Sequence, residues 1–136
     1  AGAQLVLRPR SNARLQVGTA PVAKLKKAGV KLALGTDSLA SNSSLSLWDE
    51  LAFVAETYAD VFSAQELFAL ATTGGAEALG LQNELGELKP GLRASFQVVV
   101  LDGQIKPQRL LESLINEGEG IQPETLVLDG QVVKFD

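Results

Sequence analysis

Residues 19–37 read Thr-Ala-Pro-Val-Ala-Lys-Leu-Lys-Lys-Ala-Gly-Val-Lys-Leu-Ala-Leu-Gly-Thr-Asp, and their reading decides the fold. Thr19 or Ala20 opens a helix with Pro21 in its first turn, where a missing N–H costs nothing. Val22, Leu25 and Ala28 give that helix one apolar face, and Gly29 suits its C-terminal stop. Val30 to Leu34 then forms a short, nearly continuous apolar strand closed by Gly35. Upstream, Leu5 to Leu7 is a second such run, stopped by Pro9. Strand, helix and strand in this order, with strands buried on both faces, form a parallel βαβ unit.

Further along, Ser46 with Asp49 three residues on has the pattern of a capping box. Leu47, Leu51, Val54, Ala55 and Tyr58 continue at helical spacing. Ser63 with Glu66 opens a second helix over 64–71, and a third fits Gly75 to Leu79 before Gly80. Composition changes near Asn83. Leu85 to Leu88 reads as extended, Lys89-Pro90-Gly91 as a turn, and Phe96 to Leu101 as a Val-rich strand. Pro107 to Asn116 reads as a helix burying Leu110, Leu111, Leu114 and Ile115. Asp129-Gly130 is a two-residue hairpin turn between Thr125–Leu128 and Gln131–Phe135.

Composition narrows the chemistry. The 136 residues suffice for one domain with a core, and no apolar run reaches the roughly 18–20 residues that span a bilayer. The net charge is −4, and the one basic cluster is Lys24, Lys26 and Lys27. That is too narrow a face to collect phosphates, so neither nucleic acid nor membrane is an expected partner. A cytoplasmic location is the default expectation. The absence of Cys excludes thiolate ligands and cysteine nucleophiles, and the absence of His removes the commonest general base and metal ligand. With no Met either, the chain is expected to begin inside a longer reading frame.

Asp37 is the leading candidate for chemistry. It follows the C-terminal end of a parallel strand, the edge where catalytic groups collect in α/β barrels. It suits a metal ligand or proton acceptor, while spacing alone favours a loop residue capping the turn with Thr36 and Ser38. Ser11 and Asn12 follow the preceding strand on the same edge, and suit either substrate contact or turn satisfaction. Ser41 to Ser44 fit loop solvation, and Glu50, Glu56 and Glu66 fit solvated helix positions. Trp48 and Phe53 fit the core or an interface. Gly74-Gly75 is a weak phosphate-cradle signal without a P-loop lysine.

Four segments in order resemble one family. Leu7-Arg8-Pro9-Arg10-Ser11-Asn12 is similar to the Cys-Pro-x-Ser-Asn segment after the seventh barrel strand of the amidohydrolase superfamily. Leu34 to Asn42 resembles its Gly-Thr-Asp segment after the eighth strand. Ala71 to Leu81 resembles the helix leading out of the barrel, and Gly86 to Ala94 the re-entry into a small β domain. The similarity is to the branch of cytosine, guanine and adenosylhomocysteine deaminases and triazine chlorohydrolases. The loops after Gly35 resemble those of nucleoside-type deaminases, with adenosylhomocysteine-like or aminofutalosine-like substrates.

This resemblance implies an α/β fold: the C-terminal part of a TIM (β/α)8 barrel, residues 1–83, followed by part of a small β-rich domain, residues 84–136. It implies one divalent metal, zinc or iron, in the complete protein, held by a His-x-His pair, two further His and an Asp. Only the Asp matches this chain, at Asp37, which would both contact the metal and take a proton from its water. Asn12, Ser11 and Ser38 would lie beside it, contacting substrate or supporting Asp37. The chain alone is expected to be inactive and to bind no metal. Its expected partners are the N-terminal barrel portion, a small-molecule substrate in the complete protein, and further copies in a homo-oligomer. A non-catalytic α/β binding or assembly module is the alternative. Two departures stand out: Arg8 where the family commonly has Cys, and Ala94-Ser95 where it commonly has Ala-Asp.

Overall fold

The computed structural model describes residues 3–101 and 103–134. β1 (Gln4–Leu7) and β2 (Lys31–Leu34) pair in parallel, in register from Gln4 opposite Lys31 to Leu7 opposite Leu34. The parallel βαβ reading is therefore correct. Two helices join the strands: α1 (Pro9–Arg14) and α2 (Val22–Lys27). The expected α2 forms with Pro21 at its N-cap, and Gly29 leaves it at φ +70°. α1 is a correction. The sequence suggested that Pro9 ends the strand and that a turn follows, yet Pro9 occupies the first helical position, where a proline is preorganised.

α3 (Leu47–Thr57), α4 (Ala64–Ala71) and α5 (Thr73–Ala78) follow β2. The Ser63–Glu66 capping box is complete: Ser63 Oγ accepts from Glu66 N–H and Glu66 accepts from Ser63 N–H. The Ser46–Asp49 box does not form. Asp49 turns instead to Arg10 and to the N–H of Gly120. The Lys26 ammonium and the Ser63 N–H hold the Glu66 carboxyl down to about 2. A carboxylate depressed on folding stabilises above its ordinary value and loses that contribution as pH falls through the depressed one. Carboxyl NMR is expected to show Glu66 still ionised at pH 3.5, and Lys26→Met to shift its midpoint back up.

The second sheet runs β3 (Phe96–Val98), β4 (Thr125–Leu128), β5 (Gln131–Val133), all antiparallel. Asp129 and Gly130 both have positive φ, 49° and 79°, as the tight hairpin turn requires. Phe135, the expected end of that hairpin, lies outside the described residues. Two readings are corrected. β3 stops at Val98, and the segment expected to be extended from Leu85 to Leu88 begins in a turn, where Leu85 N–H bonds back to Leu81 C=O. A 3-10 turn, Pro107–Arg109, leads into α6 (Leu110–Asn116).

The core joins Leu7, Val22, Leu34, Leu51, Val54 and Leu67 with Ile115 of α6. Residue 115 lies beyond the expected boundary at 83, so α6 packs into the core of the first unit. Of its four expected core residues only Ile115 is fully buried, and Leu110 is exposed. Gly74 is a packing residue rather than a phosphate cradle. A Cβ there would meet Leu32 C=O at 2.8 Å and Ala69 C=O at 3.1 Å, because α5 lies directly against β2. Neither backbone can give way cheaply, so Gly74→Ala is expected to destabilise by about 1–3 kcal/mol in denaturant titration.

Candidate active site

Because β1 and β2 run parallel, the segments that leave them emerge on one edge. Asp37 stands three residues past β2 with φ +65°, in the left-handed region that Asp tolerates better than most residues. Arg8 and Ser11 come from the turn after β1 and from α1. Ser11 Oγ donates to Asp37 Oδ2 at 3.0 Å and Arg8 Nη1 donates to the same oxygen at 3.1 Å. Ser11 is fully buried, while the Arg8 side chain is half exposed.

These contacts set the charge. The Ser11 hydroxyl, foremost, holds the Asp37 carboxyl below the ordinary range; desolvation, next in size, pushes it up, and the Arg8 guanidinium, the Ser41 hydroxyl and the Ser38 N–H tip the balance downward. Asp37 is thus an ionised carboxylate at neutral pH, able to ligate a cation or accept a proton.

The expected residues are brought together unequally. Ser11 bonds Asp37 directly, and Ser38 follows it in the same turn. Asn12 is half-buried on α1, one position beyond Ser11, where its N–H bonds Arg8 C=O and its C=O accepts from Val17 N–H. Arg8, noted in the sequence only as a departure, is a partner of Asp37.

A buried polar frame behind the edge was read wrongly as solvated. Glu50 is 0 % exposed and Asn42 3 %. Asn42 Nδ2 donates to Glu50 Oε1 at 2.6 Å and to Thr36 C=O at 2.8 Å. Arg10 N–H donates to Glu50 Oε2 at 3.3 Å. Burial pushes the Glu50 carboxyl up, and the Asn42 and Arg10 donors offset part of that push. Beside it, Arg10 Nη1 pairs with Asp49 Oδ2 at 3.1 Å, both side chains largely buried. The signal was in the periodicity: Leu47, Leu51 and Val54 define an inward face, and residue 50 falls within it. Ser41 is likewise buried.

Among the described residues, no three His, Cys, Asp or Glu side chains converge as a metal-binding set. Asp37 has the donor chemistry of one ligand, an ionised carboxylate on the strand edge, but a closed site needs three or four. Its Oδ2 is already shared by Arg8 and Ser11. The residues of this chain fit a metal only as a single contribution to a larger set.

Comparison with known proteins extends this picture. The profile described as "Amidohydrolase family" matches residues 1–133. A 5-methylthioadenosine/S-adenosylhomocysteine deaminase of Teredinibacter turnerae is 41% identical over 74% of the chain and 24% of its own length. Its counterpart in Dictyoglomus thermophilum is 33% identical over 92% of the chain and 31% of its own length. A crystal structure of an adenosine deaminase from Xanthomonas campestris with bound zinc superposes with TM-score 0.80 at 31% identity, covering 95% of the chain and 31% of that structure. The chain therefore spans a third or less of the length of each of these relatives. Among the described residues, no helix is long and apolar enough to cross a membrane.

Proposed function

Because the chain belongs to the amidohydrolase family, we propose that it is the C-terminal part of a metal-dependent hydrolase that removes an amino group from a nucleobase- or nucleoside-like ring. The observation that carries this reading is Asp37: an ionised carboxylate just past a parallel strand, within a family match over nearly the whole chain. On this reading residues 1–83 are the last strands and helices of a (β/α)8 barrel. Residues 84–136 are the C-terminal segment of a small β-rich domain, except that α6 packs back onto the barrel segment. The remaining metal ligands come from the N-terminal portion, the first partner of this segment. The relatives named above, which deaminate adenosine-type compounds by their names, favour an amino over a chloro leaving group.

Zinc or iron, when bound, would lower the pKa of a water molecule from that of bulk water to about 7, generating the nucleophile. Asp37 would be one of its ligands and would accept a proton at its carboxylate. Ser11 and Arg8 hold Oδ2, so the carboxylate meets the reacting groups in one orientation rather than several. Asn12 and Ser38 lie on the same edge, as candidate substrate contacts. The half-exposed Arg8 replaces the neutral Cys common in the family and adds a cation at the mouth.

The test is ammonia release by the full-length protein, loaded with zinc or iron, on adenosine, 5-methylthioadenosine, S-adenosylhomocysteine, guanine and cytosine. An adenine nucleoside is expected to give the highest kcat/KM. No turnover of any of the five, with metal bound, would favour a non-catalytic module descended from the same family.

A further inference from the structure

We infer that Glu50 is a positioning residue, which through Asn42 and the Arg10 N–H locks the Asp37 turn and α1 to one helix. The inference rests on the proposed role of Asp37, and it concerns a residue that touches neither Asp37 nor the reacting groups. Three segments meet at its carboxylate. The residue itself is in the first turn of α3. One oxygen accepts from Asn42, whose amide also holds Thr36 C=O, the peptide group joining Thr36 to Asp37. The other accepts from the N–H of Arg10, the residue before Ser11.

The two segments held in this way are those whose side chains meet at Asp37 Oδ2. Ser11 stands one residue from Arg10, and Asp37 one residue from Thr36, so a shift at either Glu50 contact misaligns the 3.0 Å bond between them. The Asp37 turn needs such support, because a non-glycine residue at φ +65° persists only where its surroundings over-determine it. A fully buried carboxylate is also an expensive way to fill space on α3. An apolar residue would pack there without desolvation cost, but it could not accept from both Asn42 and Arg10.

The contact lengths rank the two arms. The Asn42 bond is 2.6 Å and the Arg10 bond 3.3 Å. A glutamine at position 50 can keep its carbonyl oxygen on Asn42 and give up only the longer contact, so E50Q is the conservative rescue. Glu50→Ala loses both. Leu51→Ala, a neighbouring α3 core residue 2 % exposed, serves as a control that destabilises the helix without touching this frame.

All variants are made in the full-length protein and compared at a temperature where each stays folded. Glu50→Ala is expected to lower kcat about 10- to 100-fold with KM little changed, the range for residues that orient a ligand from behind. It is also expected to speed amide hydrogen exchange at Ser41 and Ser43, the turn residues downstream of Asp37. E50Q keeps the Asn42 arm and loses the Arg10 arm, so it should restore exchange at Ser41 and Ser43 to near wild type and recover only part of kcat, and Leu51→Ala should leave both near wild type. Glu50→Ala without effect on exchange at Ser41 and Ser43, or Leu51→Ala reproducing its full effect, would overturn the inference. If the full-length protein turns over no substrate, the exchange measurement still decides the positioning claim, and the failure falls on the proposed function alone.

Discussion

In the full-length protein, Asp37→Asn is expected to lower kcat by about a hundred- to ten-thousandfold, the usual range for removing a positioned proton acceptor, and more if metal is also lost. Asparagine is the informative substitution. It tolerates the left-handed backbone that Asp37 adopts at φ +65°, and its carbonyl can still accept from Ser11. What it lacks is the charge that ligates a cation and the basicity that takes a proton. Alanine would add backbone strain to the chemical loss and blur the reading. Steady-state kinetics with metal content measured in parallel checks the effect. An Asp37→Asn protein within about threefold of wild-type kcat would remove Asp37 from the chemistry.

The isolated chain is expected to associate. β1 and β2 form a two-stranded sheet among the described residues, leaving strand edges free to recruit others. Leu5 and Val6 of β1 are 37% and 45% exposed, unusual for apolar residues of a parallel strand. An open apolar groove of about 830 Å³, lined by Val6, Trp48, Phe68, Leu85, Phe96 and Leu110, continues that surface. Sedimentation of the pure chain at several concentrations should show concentration-dependent oligomers or aggregates. A concentration-independent monomer with a cooperative thermal transition would identify a self-sufficient domain and favour the binding-module alternative.

Local chemistry made much of this fold legible. Pro21 and Gly29 bracket α2, the Ser63–Glu66 box starts α4, and Asp129-Gly130 turns the last hairpin, each by a rule that acts within a few residues. The failures came where a distant partner decides. Asp49 abandons a capping box three residues away for Arg10 and Gly120. Leu85 to Leu88, expected to be extended, follows a turn in which Leu85 N–H bonds back to Leu81 C=O. Asp37 and Ser11 were found because parallel strands deliver their exits to one edge. Glu50 and Asn42 were missed because charge and polarity suggest solvent, while a buried carboxylate is recognisable only when its donors are in place. Arg8 was visible as a departure from the family pattern, but its bond to Asp37 needed the three-dimensional arrangement.

On the proposed function, this chain contributes one ligand to a metal centre completed by the rest of the protein. The most direct measurement is zinc affinity by chelator competition, made on the isolated chain, on the full-length protein, and on each with Asp37→Ala. The isolated chain is expected to bind zinc no better than about millimolar, since one carboxylate cannot supply the ligands of a catalytic site. The full-length protein is expected to retain one tightly held metal, and Asp37→Ala to weaken that binding. Stoichiometric, micromolar zinc binding by the isolated chain, abolished by Asp37→Ala, would contradict the single-ligand contribution.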